Sequence, residues 1–370
     1  MRLAILCTMI NGFGRKGFYN SQEIGLGKEL VRQGHTVTIY KGVDESESSA
    51  NVKIGDNLVI HYLPIKRMGA NGRFPNIYFT DDIDGLFVFA DQQVFLPHIF
   101  RWWKKREIPV VPYVGTVTTN RKGLKTKISR LLFLMGTNRW YQHMNVLAKS
   151  PKVKDDLVNL GVPEHQIQVS YVGLDMSLLH TNYRETSKEE LKEKHGFGSE
   201  ERIILNVARL VDIKRPLDLI DIFARVKDEF RLVIIGKGEL EEALRQKIKE
   251  MGLENRVTLL SEVPYEEMWE WYRLSDYFLN LCSVEIFGMA ILEAIFYECS
   301  VAATWAVGPS IILDGMEGHK LANSDEEIVE WLKSKYPSKK TLEESSEKVK
   351  KNFTWEQTAK NFVEIVRRES

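Results

Sequence analysis

Short apolar runs alternate along this chain with longer stretches whose apolar positions recur every three to four residues. That alternation predicts strands joined by helices, the βαβ pattern of a parallel sheet. Leu3 to Met9 reads as a first strand, Asn20 to Gln33 as a helix, and Gly34 to Tyr40 as a turn and second strand. Val59–Leu63, Gly85–Phe89, Val110–Val114, Val146–Ala148 and Ile167–Val172 continue the series. A second cycle begins with a strand at Arg202–Val207 and a helix at Pro216–Val226. It goes on through strand 231–235, helix 240–251, strand 257–260, helix 265–274, strand 277–281 and an apolar helix holding Glu293. The expected fold class is α/β, two Rossmann-like doubly wound domains in tandem, whose ligands bind at the carboxyl ends of the strands. The domains are expected at 1–173 and 174–352, with the linker near Gly173-Leu174-Asp175. Residues 353–370 contribute a last amphipathic helix from Trp355 to Arg368, read either as crossing back to the first domain or as a simple C-terminal cap.

Composition adds exclusions. A chain of 370 residues is long for one core, and 44% apolar with 28% charged residues is ordinary for a globular protein. Cys7, Cys282 and Cys299 are odd in number, sit in apolar surroundings and lack metal-ligand spacing, so they read as core residues of a reduced, cytoplasmic protein. The opening is too short for an export signal, and no apolar run is long enough to span a bilayer.

Charge is balanced overall but uneven. Residues 1–170 hold 23 Lys and Arg against 14 Asp and Glu, leaving 28 against 37 for residues 171–370. Between His98 and Trp140 ten cations (Arg101, Lys104, Lys105, Arg106, Arg121, Lys122, Lys125, Lys127, Arg130, Arg139) face one acid, Glu107, with Phe100, Trp102, Trp103 and Leu131–Leu134 interleaved. The 98–140 region reads either as a peripheral docking surface for anionic lipid at the inner face of the membrane or as helices with solvated faces. No nucleic-acid motif accompanies the charge, and no nucleic-acid partner is expected.

The segment Ser283 to Ala294 places two glutamates, Glu285 and Glu293, eight positions apart. Glu293 lies in a helix apolar nearly all round, so its carboxylate needs a buried donor, a ligand hydroxyl or a core cation. Glu285 precedes Phe287-Gly288, where a glycine lets backbone come close to a bound group. Arg209 and Lys214 follow the strand ending at Val207, well placed to neutralise a diphosphate. Gly236-Lys237-Gly238 ends the next strand, either approaching a ligand or simply turning.

These elements together resemble the retaining family 4 glycosyltransferases (glycosyl transferases group 1, GT-B fold), whose signature reads roughly S-x-x-E-x-F-G-x-x-x-x-E-A. The resemblance runs over residues 1 to 368, specific in the second half and loose in the first. It implies a GT-B arrangement with the domains facing a central cleft. The first domain would take the acceptor, and the terminal helix would cross back to it. Glu285, Arg209 and Lys214 would be catalytic, with Glu293, Phe287, Gly288, Gly236, Val263 and Gly17 binding the donor. The base would be held by backbone in Ser261-Glu262-Val263. Lys16-Gly17-Phe18 stands where relatives carry Gly-Gly. Relatives place a His after the strand that here reads Val110–Val114; this chain has none, leaving Tyr113, Thr116 and Thr118 as substitutes. Ser310, in Ala306–Ser310, replaces the usual Glu of the diphosphate loop. The implied reaction is retaining transfer from a nucleotide diphosphate sugar, a UDP-sugar first among donors, to a glycan, lipid-linked or other hydroxyl. No cofactor and no metal are expected, since cations and a helix N-terminus would stabilise the leaving diphosphate. Asp81-Asp82-Ile83-Asp84 reads as a solvated turn. The competing readings are a non-catalytic pseudo-glycosyltransferase subunit and a same-fold nucleotide-sugar epimerase.

Overall fold

The computed structural model covers the 370 residues and describes all but 9–20, 69–70, 74–82, 92, 94, 118–123 and 286, with side chains left aside at 67, 68, 71–73, 124–126 and 129. The chain forms two compact units, Met1–Asp175 with Thr354–Ser370, and Met176–Phe353.

The first unit is built on strands β1 (Arg2–Cys7), β2 (Thr36–Asp44), β3 (Ala50–Gly55), β4 (Leu58–Met68), β5 (Asn71–Arg73), β6 (Gly85–Phe89), β7 (Val110–Val114), β8 (Val146–Ala148) and β9 (Ile167–Val169). Their order is β3-β4-β2-β1-β6-β7-β8-β9, with β5 on β4. The strands pair in parallel except β3–β4 and β4–β5. β3 and β5 depart from the expected series. The side chains of Asn51 to Gly55 are all exposed, so this edge strand carries no buried face for a pattern to reveal. Along β1, Ala4 and Leu6 join one core cluster with Leu96, Ile99, Phe100 and Trp103, whereas Phe87 on β6 turns its ring to Phe362, centroids 5.3 Å apart. The helices are α1 (Gln22–Arg32), α2 (Leu96–Lys104), α3 (Leu124–Met135), α4 (Thr137–Tyr141) and α5 (Pro151–Asn159).

The C-terminal helix Trp355–Glu369 packs on α1 and β7 of this unit. Thr358 Oγ1 donates to Tyr171 O at 2.9 Å and Asn361 Nδ2 to Ser170 Oγ at 2.6 Å. Leu174 bridges Thr354, and Asp175 accepts from Lys28 at 3.0 Å. These bonds carry the first unit two residues past the expected limit at 173.

The second unit is an all-parallel sheet of β10 (Arg202–Val207), β11 (Phe230–Ile235), β12 (Val257–Leu260), β13 (Tyr277–Asn280), β14 (Ser300–Thr304) and β15 (Lys320–Ala322). The order is β12-β11-β10-β13-β14-β15. Its helices are α6 (Lys188–Lys194), α7 (Pro216–Phe223), α8 (Glu241–Glu250), α9 (Tyr265–Leu274), α10 (Met289–Phe296), α11 (Val307–Ile312), α12 (Asp325–Lys333) and α13 (Lys339–Asn352). α6 opens on a full capping box, Ser187 with Glu190. α7 stops at Phe223, three residues short of expectation. No helix among the described residues is long and apolar enough to cross a membrane.

Gly173 sits where two backbones meet: a methyl group there would lie 2.2 Å from Trp355 N and 2.3 Å from Thr354 C. Backbone cannot yield as a side chain can, so Gly173→Ala is expected to cost about 3 kcal/mol, the upper end of overpacking. A urea titration checks it; an unchanged midpoint would contradict this packing.

Candidate active site

In the second sheet β11 lies on one side of β10 and β13 on the other, so the strand order reverses between β10 and β13. Such a reversal opens a crevice at the carboxyl ends of those two strands. Asn206 Nδ2 ties them by donating to Leu279 O at 2.8 Å. The loop after β10 is anchored by fully buried Leu210, whose N–H donates to Lys237 O at 2.9 Å and whose carbonyl accepts from Leu240 N at 3.0 Å.

Two glycines make that anchoring possible. A methyl at 236 would stand 1.9 Å from Ala208 O, and one at 238 would stand 2.1 Å from Leu210 O. Beside the two readings open for Gly236, a ligand approach or a tight turn, the structure shows a close approach to neighbouring backbone that sets the course of the Arg209–Lys214 loop. Arg209 is exposed and has no partner among the described residues. Lys214 Nζ meets Glu285 Oε2 at 2.6 Å, with both side chains about four-fifths buried. Burial pulls the Lys214 ammonium down, but the Glu285 charge and hydrogen bond outweigh it and its pKa stands above the usual lysine value. The sequence offered no direct sign of this pairing between residues 71 positions apart.

Glu285 is held by its own backbone. Its carbonyl accepts from Gly308 N at 3.0 Å, and a methyl at 308 would fall 2.1 Å from Phe287 O. Phe287 is buried, its ring 6.1 Å from Phe353. Gly288 caps α10 at φ 103°, a left-handed conformation suited to glycine. Ser310, set by the resemblance in the place of a Glu in the diphosphate loop, lies instead within α11, where its hydroxyl donates to Val307 O at 2.9 Å.

Glu293 is 1% exposed, as its apolar helix requires. Its Oε2 accepts from the Tyr272 phenol at 2.8 Å, so a tyrosine supplies one of the donors that a buried carboxylate needs. The carboxylate lines a cavity of about 160 Å³ with His180, Tyr265, Trp269, Tyr272 and Tyr297; His180 stacks on Trp269 with centroids 4.1 Å apart. The structure thus joins Lys214 to Glu285 and gives Glu293 a separate, aromatic surrounding. Val263 is half-buried in the loop before α9, where Glu262 pairs with Lys237. Among the described residues no cluster of three or more His, Cys, Asp or Glu is placed to hold a metal ion.

In the first unit Gly17, with Lys16 and Phe18, lies outside the described residues, as do Thr118, Asp81, Asp82, Arg121 and Lys122. After β7, where relatives carry a His, the chain reads Gly115-Thr116. Both amides donate to Asp91 Oδ1, that of Thr116 at 3.1 Å, while Lys149 Nζ donates to Asp91 Oδ2 at 2.6 Å. Tyr113 is fully buried, and its ring faces the Lys149 ammonium at 4.9 Å. Burial, then the Asp91 charge, pushes the Tyr113 phenol well above its ordinary pKa. Sequence reasoning assigned no site role to Asp91 or Lys149; their places within two residues of predicted strand ends were the available signal.

Residues 187–352 match the family model described as Glycosyl transferases group 1. N-acetyl-alpha-D-glucosaminyl L-malate synthase of Bacillus anthracis is 25% identical, the match spanning 99% of this chain and 97% of that protein. Sucrose-phosphate synthase from Thermosynechococcus elongatus superposes with a TM-score of 0.73 at 14% identity, covering 100% of this chain and 98% of the other. Anabaena HepE, solved in complex with UDP and glucose, gives a TM-score of 0.69 at 14% identity with full coverage of both chains. The fold is that of these GT-B proteins.

Removing the Tyr272 hydroxyl takes a donor from a buried carboxylate. Tyr272→Phe is expected to destabilise the second unit by about 1–3 kcal/mol. Equilibrium urea unfolding checks this; no change would mean that the Glu293 carboxylate does not depend on the phenol.

Proposed function

This chain is a glycosyltransferase with a glycosyl transferases group 1 domain, and from that premise we propose a retaining transfer. The donor is a nucleotide diphosphate sugar, a UDP-sugar first among candidates, and the acceptor is a hydroxyl on a glycan or lipid-linked molecule. The observation that carries the reading is the set of charges at the reversal of the second sheet: exposed Arg209 and paired Lys214 from the loop after β10, and Glu285 from the loop after β13. Cleavage of the anomeric bond develops negative charge on the leaving diphosphate. Arg209, Lys214 and the N-terminus of α10 are preorganised to offset it, which removes the need for a metal. Glu285, already held by Lys214, positions the sugar. Glu293, walled by aromatic rings, accepts from ribose hydroxyls. The UDP bound in HepE supports a nucleotide donor by likeness of fold.

A thermal-shift panel with UDP, GDP, dTDP, ADP and CMP, each with and without EDTA, tests the reading. Ligand at 100-fold its Kd adds about 2.7 kcal/mol, a shift of several degrees. One nucleotide is expected to raise Tm, insensitively to EDTA and less in Glu293→Ala. No shift with any nucleotide would overturn the reading in favour of a non-catalytic partner.

The acceptor is proposed to be met at an anionic lipid surface. On α3 the side chains of Ile128, Leu131, Leu132 and Met135 are 51%, 56%, 53% and 59% exposed, four of the chain's large exposed apolar residues on one helix. Lys127 and Arg130 stand exposed on the same helix, and Arg101, Lys104 and Lys105 on or just after α2 and Arg139 on α4 are exposed too, none meeting a carboxylate among the described residues. Cations around an apolar face suit anionic lipid, each contributing about 1 kcal/mol near the surface. The protein is expected to sediment with phosphatidylglycerol-containing vesicles, not with pure phosphatidylcholine. Leu131→Ser with Leu132→Ser should abolish this; equal recovery with both vesicle types would refute it.

A further inference from the structure

The first sheet also reverses its order. β2 lies on one side of β1 and β6 on the other, so a crevice opens at the carboxyl ends of β1 and β6. Thr8 follows β1, Asp91 comes two residues after β6, Gly115 follows β7 and Lys149 follows β8. The ion pair therefore ties the ends of three strands, β6, β7 and β8, and β1 is the neighbour of β6 in the sheet. A methyl at 115 would lie 2.5 Å from Lys149 Cδ and 2.7 Å from Asp91 Oδ1, so the pair fills the volume a β7 side chain would take.

Burying two charges is costly, and a well-packed apolar pair is often as stable, so stability alone does not account for them. Their remaining hydrogen-bonding capacity does. Asp91 Oδ1 is filled by two amides, while Oδ2 accepts from Lys149 and keeps one lone pair. Lys149 has three N–H groups and donates one, its ammonium otherwise facing the rings of Phe89 at 5.4 Å and Tyr113 at 4.9 Å. The pair thus offers two donors and one acceptor, the complement of a single hydroxyl. It carries no net charge for an anion to seek. Thr8 Oγ1, buried after β1, has no hydrogen-bond partner among the described residues.

We propose that Asp91 and Lys149 form a hydroxyl-binding subsite of the first unit, taking a neutral sugar or polyol hydroxyl rather than an anion. This rests on the glycosyltransferase reading only for the source of that hydroxyl, donor sugar or acceptor.

The test is the side-chain ammonium resonance of Lys149 in the full chain labelled with ¹⁵N-lysine, assigned by its loss in Lys149→Gln. Methyl α-glucoside, methyl α-galactoside, methyl α-mannoside, inorganic phosphate, UDP and UDP-glucose are each titrated. At least one glycoside or UDP-glucose is expected to move the resonance saturably, with phosphate and UDP leaving it in place. Asp91→Asn should weaken that response about tenfold or more. A response to UDP-glucose but not UDP assigns the hydroxyl to the donor, and one to a free glycoside assigns it to the acceptor. No response to any sugar, or a response to phosphate alone, overturns the proposal. Because the titration is of the wild-type chain, with Lys149→Gln needed only to assign the resonance, and the nucleotide panel reads the second unit, failure here is distinct from failure of the nucleotide-sugar reading.

Discussion

The second unit depends on backbone meeting backbone where side chains are missing. Ala208 O against Gly236, Leu210 O against Gly238 and Phe287 O against Gly308 lock three loops at the carboxyl ends of the strands. Those loops carry Arg209, Lys214 and Glu285. Any larger residue at these glycines would drive an atom into a carbonyl closer than van der Waals contact allows, and interiors at near-crystalline density have little room to yield. The charged groups are therefore aimed by steric exclusion, and their electrostatics act on a geometry already set.

That geometry is held from the far end of α10 as well. Glu298, two residues beyond the helix, adopts a left-handed φ of 66° and accepts from Tyr183, Arg184 and Arg273. Burial pushes its carboxyl up, but the two guanidiniums outweigh burial and hold it below the usual value. Gly288 starts the helix and Glu298 fastens its end, so Glu293 between them has a fixed place beside Tyr272. Two kinds of buried carboxylate result. Glu298 is saturated by cations and structural, whereas Glu285 and Asp91 each share one lysine and stand at strand ends beside a reversal of sheet order.

Much of the fold was legible in the chain. Short continuous apolar runs located most strands to within a few residues, because a parallel sheet covered on both faces demands near-continuous apolar strands, and recurrence every three to four residues located α1, α7 to α10 and the C-terminal helix. β3 escaped because its exposed edge position carries no buried face. The limit of the first unit moved past Gly173 because Leu174 and Asp175 bond to Thr354 and Lys28, residues remote in sequence.

At the candidate site, the chain by itself determined which residue types stand after which strand: cations after β10, a glutamate before the Gly288 cap, a second glutamate in an apolar helix. Local sequence carries that information because strand ends and helix caps are set by neighbouring residues. Only the tertiary structure decided the partners: Lys214 for Glu285, Tyr272 for Glu293, Lys149 for Asp91. Such pairings join residues 21 to 71 positions apart, and they follow from sheet order and from the space that glycines leave, neither of which any short stretch of the chain encodes.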